Sequence, residues 1–202
     1  MDRTADTRAG IEGHAEQNAK VPVDDAQMII RPEQPADHPA IRRVVAAAFG
    51  SDVEADLVDR IRASPEYVAE MALVAEVDGE VAGHVMISGA TLNHSLGPRP
   101  IVMLSPLAVE PAAQGRGIGG ALVRAALTIA DRRGEPIVVL EGSPHYYSRF
   151  GFEHSLHHGI ELPLPHWAVS EAGQVMRLSS FDPDDATLRG TVVYPAAFDG
   201  LE

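Results

Sequence analysis

The stretch Leu107-Ala108-Val109-Glu110-Pro111-Ala112-Ala113-Gln114-Gly115-Arg116-Gly117-Ile118-Gly119-Gly120 decides how this chain is read. Upstream, Ile101 to Val109 is a mostly apolar run of strand length, as in a central strand covered on both faces. Pro106 interrupts it, and a residue without a ladder N–H marks a bulge or a place where a sheet opens. Downstream, Leu122, Val123, Ala126, Ile129 and Ala130 form the buried stripe of a helix, with Arg132-Arg133 in its last turn and Gly134 as its stop. After Pro136, the β-branched run Ile137-Val138-Val139-Leu140 reads as another strand. A strand that feeds a glycine loop and then a helix gathers free backbone N–H groups and the positive helix end at one point, which binds anions. Gly115 to Gly120 also satisfies the GxGxxG dinucleotide fingerprint, with Glu141 as a ribose ligand, so a nicotinamide oxidoreductase competes. Against it stand the late position of the fingerprint, the antiparallel strands before it, and the five residues Glu110 to Gln114 between strand and glycines.

On the N-terminal side, residues 1–26 lack any apolar periodicity and read as a disordered leader. Met28-Ile29-Ile30 reads as a short strand closed by Arg31-Pro32. Asp37 is placed to cap a helix with Ile41, Val44, Val45, Ala48 and Phe49 on one face. Ser51-Asp52-Val53-Glu54 has the form of a capping box for a second helix that buries Leu57 and Ile61. Leu73 to Val77 and Glu80 to Ser88 are strands joined by the hairpin turn Asp78-Gly79. Ala90 to Leu96 continues toward a further hairpin, with Gly97-Pro98-Arg99-Pro100 as a break. The sheet is therefore mixed and the class α/β. Beyond Phe152, Leu156 to Leu164 and Gly190 to Tyr194 read as strands of a C-terminal extension, residues 156–202, packed on a core of residues 27–155.

Composition bounds the function. The chain has 202 residues, 45% hydrophobic and 22% charged, in the range of one globular core with appendages. No cysteine is present, which excludes disulfides and thiolate metal sites. His154, His157 and His158 lie close together without a metal-ligand spacing, so no metal is expected. No stretch of about 18 apolar residues occurs. The start MDRTADTRAG has no signal-peptide core, and the cytoplasm is the default compartment. A formal net charge of −13 opposes nucleic acid and anionic membrane surfaces. It favours cationic partners such as protonated amines, although it also serves solubility.

The pattern Leu107-Ala108-Val109-x-Pro111-x-x-Gln114-x-x-Gly117-x-Gly119 resembles the GNAT N-acetyltransferase signature [Q/R]-x-x-G-x-[G/A]. About 30 residues further on, Tyr147-Ser148-Arg149-Phe150-Gly151-Phe152 resembles that family's Tyr-x-x-x-Gly-Phe segment. The resemblance covers residues 28–155 in element order. It implies a GNAT-like mixed sheet with flanking helices and a splayed pair of central parallel strands. It implies acetyl-CoA as cosubstrate, with pantetheine paired to Leu107, Ala108 and Val109. The pyrophosphate would lie on the backbone amides of Gln114, Gly115, Arg116, Gly117, Ile118, Gly119 and Gly120. Tyr147 matches the family's general acid, with Tyr146 as its adjacent competitor.

The family's strand carboxylates are replaced here by Ser105 and Pro106, so the base is open. Glu141, at the end of the strand that flanks the split, leads; Glu76, His84, His94 or a water relay follow. The family's asparagine ahead of the tyrosine segment is also missing, and Ser143 is the nearest polar substitute for pantetheine contacts. The implied reaction is direct acetyl transfer to an amine: a small molecule, a protein N-terminus or a lysine. A non-catalytic acyl-CoA-binding module is the alternative. Residues 156–202 would add strands, shape the acceptor pocket or contact a second subunit in a homodimer.

Overall fold

The computed structural model describes residues 19–23 and 26–200. The leader reading over residues 1–18 lies outside the described residues; within its last part, strand β1 (Ala19–Val23) pairs antiparallel with β2 (Ala26–Pro32). Helices α1 (His38–Phe49) and α2 (Val53–Arg62) follow, then β3 (Ala72–Val77), β4 (Glu80–His94), β5 (Gly97–Val109), α3 (Ile118–Arg132) and β6 (Ile137–Glu141). A one-turn helix α4 (Pro144–Tyr147) precedes β7 (Glu153–His154), β8 (Ile160–Glu161), β9 (Gly173–Arg177) and β10 (Gly190–Val193).

The strands form one mixed sheet in the order β1-β2-β3-β4-β5-β6-β9-β7, with β10 paired to β4 and β8. The Asp78-Gly79 hairpin stands as read: both residues have positive φ, 51° and 86°, which is what a two-residue turn matched to strand twist requires. Gly97 to Pro100 is not a break. Those residues are the first of β5, paired with β4 from His94↔Gly97 onward, because both prolines lie on a strand whose outer edge is free there. Leu156 to Leu164 is mostly not strand: a 3₁₀ turn over Ser155–His158 comes first, and only Ile160–Glu161 pairs. The second-helix cap also differs. The Ser51 hydroxyl donates to Glu54 (2.7 Å) and accepts from the Val53 N–H, so the Ser–Glu contact is present while the helix begins at Val53. Asp37 caps the 3₁₀ turn before α1, accepting from the Gln34 N–H (2.7 Å), and is otherwise claimed by Arg31.

Three apolar clusters fill the space between layers. On one face α3 packs Ile118, Leu122, Val123 and Ala126 against Val85, Ile87, Val102, Leu104 and Leu140. On the other face, α1 and α2 cover Ala72, Val74, Met86 and Ala108 of β3, β4 and β5, while β10 and the extension cover Met103, Ile137 and Val139. The extension is tied down by Arg99 to Asp185 (2.9 Å) and Thr187 (2.7 Å), and by Arg60 to the Asp199 carbonyl (2.8 Å). None of the described helices is long and apolar enough to cross a membrane.

Candidate active site

The sheet opens between β5 and β6. These parallel neighbours pair only at Val102↔Val138 and Met103↔Val139. From Leu104 on, β5 pairs with β4 alone, so the stretch through Leu107, Ala108 and Val109 has no strand partner on its other edge, and the Val109 carbonyl accepts from the Gln114 side chain. Two causes are visible. The β4–β5 register shifts between Val85/Leu107 and Ile87/Leu104, leaving an extra residue on β5 at Ser105-Pro106, and a bulge of this kind bends its strand. Meanwhile β6 is paired along its whole length to β9, from Ile137↔Arg177 to Glu141↔Gly173. Beyond its last residue, Gly142 donates to the Ala172 carbonyl (2.9 Å) and accepts from the buried Gln174 amide (3.0 Å). Pro106 stands at both a bulge and the opening of the sheet, as a proline in a central strand implies. The sequence gives no signal for β9, because Gly173-Gln174-Val175-Met176-Arg177 is short and lacks an alternating apolar pattern.

At the end of β5, Pro111 to Ala113 make a 3₁₀ turn, and the Gln114 side chain ties back to the Val109 carbonyl (3.1 Å). Gly115 and Gly117 have φ of 78° and 85°, and the space a side chain would enter at either is open. Gly117 caps α3 without any side-chain hydrogen bond, and the first intrahelical bond is Ala121 N–H to Gly117 O (3.0 Å). The N–H groups of Ile118, Gly119 and Gly120 are thus free at the positive helix end. The Ile118 side chain is buried in the core, so only its amide serves the loop. Arg116 is exposed. These features fit a pyrophosphate: a concave run of amides, glycine where the backbone must turn, and space in front.

The two adjacent tyrosines do different things. Tyr147 lies over Gly142, where a Cβ would meet its ring at 2.6 Å, and makes an edge contact with Phe152 (5.6 Å). Burial, with a smaller push from Tyr146, raises its hydroxyl pKa above the ordinary phenol value. Tyr146 turns to the glycine loop, its hydroxyl 2.6 Å from where a Cβ on Gly119 would stand. Ser143 is exposed and begins α4, its carbonyl accepting from the N–H groups of both tyrosines.

Glu141 points to the face covered by the extension. It is half-buried, and burial raises its pKa against the opposing hydrogen bond from Tyr194 (3.4 Å). Tyr194, stacked near Phe198 (5.4 Å), comes from the extension and was not singled out in the sequence, where no motif surrounds it. The other base candidates are engaged elsewhere. Glu76 pairs with Arg31 (3.0 Å), and His94 accepts from the Leu96 N–H in the far hairpin. His84 shares a row with Ala108, but its fully buried ring turns beneath α1 and α2 to Glu33 (2.9 Å). Glu33 also receives Arg62 (2.7 and 3.0 Å) and the Tyr67 hydroxyl (2.9 Å). Burial raises Glu33, but the hydrogen bonds from His84 and Arg62 outweigh it and hold the carboxyl below its ordinary range; burial keeps His84 neutral by lowering its pKa. Among the histidines near the C-terminal turn, His158 pairs with Glu153 (2.6 Å) and His154 stacks on His157 (4.8 Å).

Comparison with known proteins agrees with this geometry. Residues 29–155 match the family model described as the acetyltransferase (GNAT) domain. The chain is 36% identical over 174 residues to the uncharacterized N-acetyltransferase YhbS of Escherichia coli, covering 85% of this chain and 98% of that protein. The crystal structure of that E. coli protein in complex with CoA superposes with a TM-score of 0.76 at 32% identity, covering 90% of this chain and 97% of the other. A GNAT family acetyltransferase from Brucella melitensis in complex with acetyl-CoA gives a TM-score of 0.68 at 34% identity, over 85% and 98% of the two chains. With the splayed parallel strands, the glycine loop and the tyrosine segment in one place, this chain belongs to the GNAT acetyltransferase family.

Proposed function

We propose that the chain transfers an acetyl group from acetyl-CoA directly to an amine, with the reaction centred where β5 and β6 part. The observation that carries this reading is the conjunction of a β5 edge without a strand partner at Leu107–Val109 with an amide run at Gly115–Gly120 that opens onto empty space at Gly115 and Gly117. Acetyl-CoA supplies the activated thioester. The backbone of Leu107, Ala108 and Val109 holds the pantetheine arm as an added strand. The amides from Gln114 to Gly120 hold the pyrophosphate, with Arg116 adding charge and Ser143 a polar contact.

The acceptor amine forms the new N–C bond as the C–S bond breaks, and two proton transfers complete the exchange. Glu141 takes the proton that the nitrogen loses; its raised pKa makes it a stronger base than an exposed carboxylate. Tyr147 gives a proton to the departing sulfur, and its raised pKa keeps it protonated at neutral pH. The acceptor enters on the face carrying Glu141 and Tyr194. Calorimetric titration with acetyl-CoA, followed by an amine screen for CoA release, tests the reading. Micromolar binding with amine-dependent release is expected. Absence of CoA binding would remove the function, and binding without turnover on any amine would leave a non-catalytic acyl-CoA module.

A further inference from the structure

Arg124 and Arg149 stand together outside the amide cradle. The Arg124 guanidinium carbon lies 5.4 Å from the centre of the Phe150 ring, and that of Arg149 lies 4.8 Å from the same ring and 4.0 Å from the Tyr146 ring. Two like charges are thus gathered around one aromatic side chain. They adjoin the first turn of α3: the Arg124 Nη2 is 3.2 Å from where a Cβ on Gly120 would stand, and Tyr146, beneath Arg149, reaches Gly119. The arginine ion pairs of the described residues use Arg31, Arg42, Arg62, Arg99, Arg133 and Arg177; Arg124 and Arg149 take part in none. Both side chains are exposed, so two guanidinium groups held beside a positive helix end stand open to an anion arriving from solvent.

We propose that Arg124 and Arg149 form the subsite for the 3′-phosphate of CoA and make the enzyme discriminate CoA from its 3′-dephospho form. The inference rests on reading the glycine loop as the pyrophosphate site. Since the pantetheine arm leaves that loop along β5 into the split, the nucleotide half leaves it outward, over the first turn of α3, where these two side chains stand. The loop amides already answer the pyrophosphate. A phosphate monoester carries nearly two charges at neutral pH and three acceptor oxygens, and guanidinium forks meet such a group in bidentate fashion. Stacking on Phe150 and Tyr146 limits the freedom of both side chains before the ligand arrives.

The test is calorimetry with CoA and 3′-dephospho-CoA on the wild type and on the double variant Arg124→Gln, Arg149→Gln, whose amides still cover Phe150. The wild type should prefer CoA by about tenfold or more. The double variant should bind both ligands alike, with its affinity for dephospho-CoA equal to that of the wild type. Equal binding of both by the wild type, or a variant that keeps the preference or weakens both ligands by one common factor, overturns the assignment. Gly117→Glu separates this from the underlying reading: it should lose both ligands, whereas retention of both would remove the pyrophosphate site itself.

Discussion

At Gly117 the backbone turns with φ 85° and opens onto empty space, so a side chain there would be strained and would stand in the proposed pyrophosphate site. Gly117→Glu should therefore abolish CoA binding by calorimetry, through both occupancy and charge. Tyr147→Phe keeps the ring over Gly142 and Phe152 but removes the hydroxyl proposed as the acid. It should lower kcat by about 10²-fold with little change in CoA affinity, measured by steady-state kinetics beside titration; unchanged kcat would leave Tyr147 as packing. Glu141 is raised by burial and lowered by Tyr194, so the acid limb of kcat/KM should lie above the ordinary glutamate pKa of about 4.3. Tyr194→Phe should move that limb further up, and Glu141→Gln should remove it; a pH profile indifferent to both would assign the base elsewhere.

The split is a property of elements. β6 could have continued along β5; instead its last residues are held by β9, and the Gly142 carbonyl by the buried amide of Gln174. Gln174→Ala leaves that carbonyl without its donor at a buried site, at a cost of about 1–3 kcal/mol in a thermal or denaturant unfolding measurement. The same substitution should weaken CoA binding more than its loss of stability explains, because the position of the β6 end sets the width of the opening. Little of this was legible beforehand. Pro106 announced that β5 is interrupted, since a missing N–H is a local property. Which strand draws β6 away depends on pairing across more than 30 residues, and the residues of β9 have no alternating pattern to mark them.

For the whole molecule, the polar cluster beneath α1 and α2 links stability to pH. Glu33 is held below its unfolded pKa, so the unfolded state binds more protons as pH falls, and the stabilisation present above about pH 4.3 is lost below it. His84 is also lowered by burial, so its contribution begins to fall once pH drops below its unfolded value of about 6.5. Both act in one direction. Unfolding free energy should decline in two stages on acidification, first below about pH 6.5 and then more steeply below about pH 4.3. Glu33→Ala should cost at least about 3 kcal/mol at pH 7, since Arg62 and His84 lose a buried partner, and should abolish the stage below about pH 4.3 while keeping the stage below about pH 6.5, because Glu33 opposes the burial that lowers His84.

By itself the sequence determined the parts whose physics is local. The glycine loop, α3 with its stripe, the Asp78-Gly79 hairpin and the order of motifs were all readable, because turn geometry and helix period are written in neighbouring residues. The tertiary structure alone decided which residues share the site. It brought Tyr194 from the extension to Glu141, turned Tyr146 to Gly119 and Tyr147 over Gly142, and engaged His84 and Glu76 with Glu33 and Arg31. Those outcomes follow from strand pairing and charge burial between residues tens of positions apart, and no local pattern encodes them.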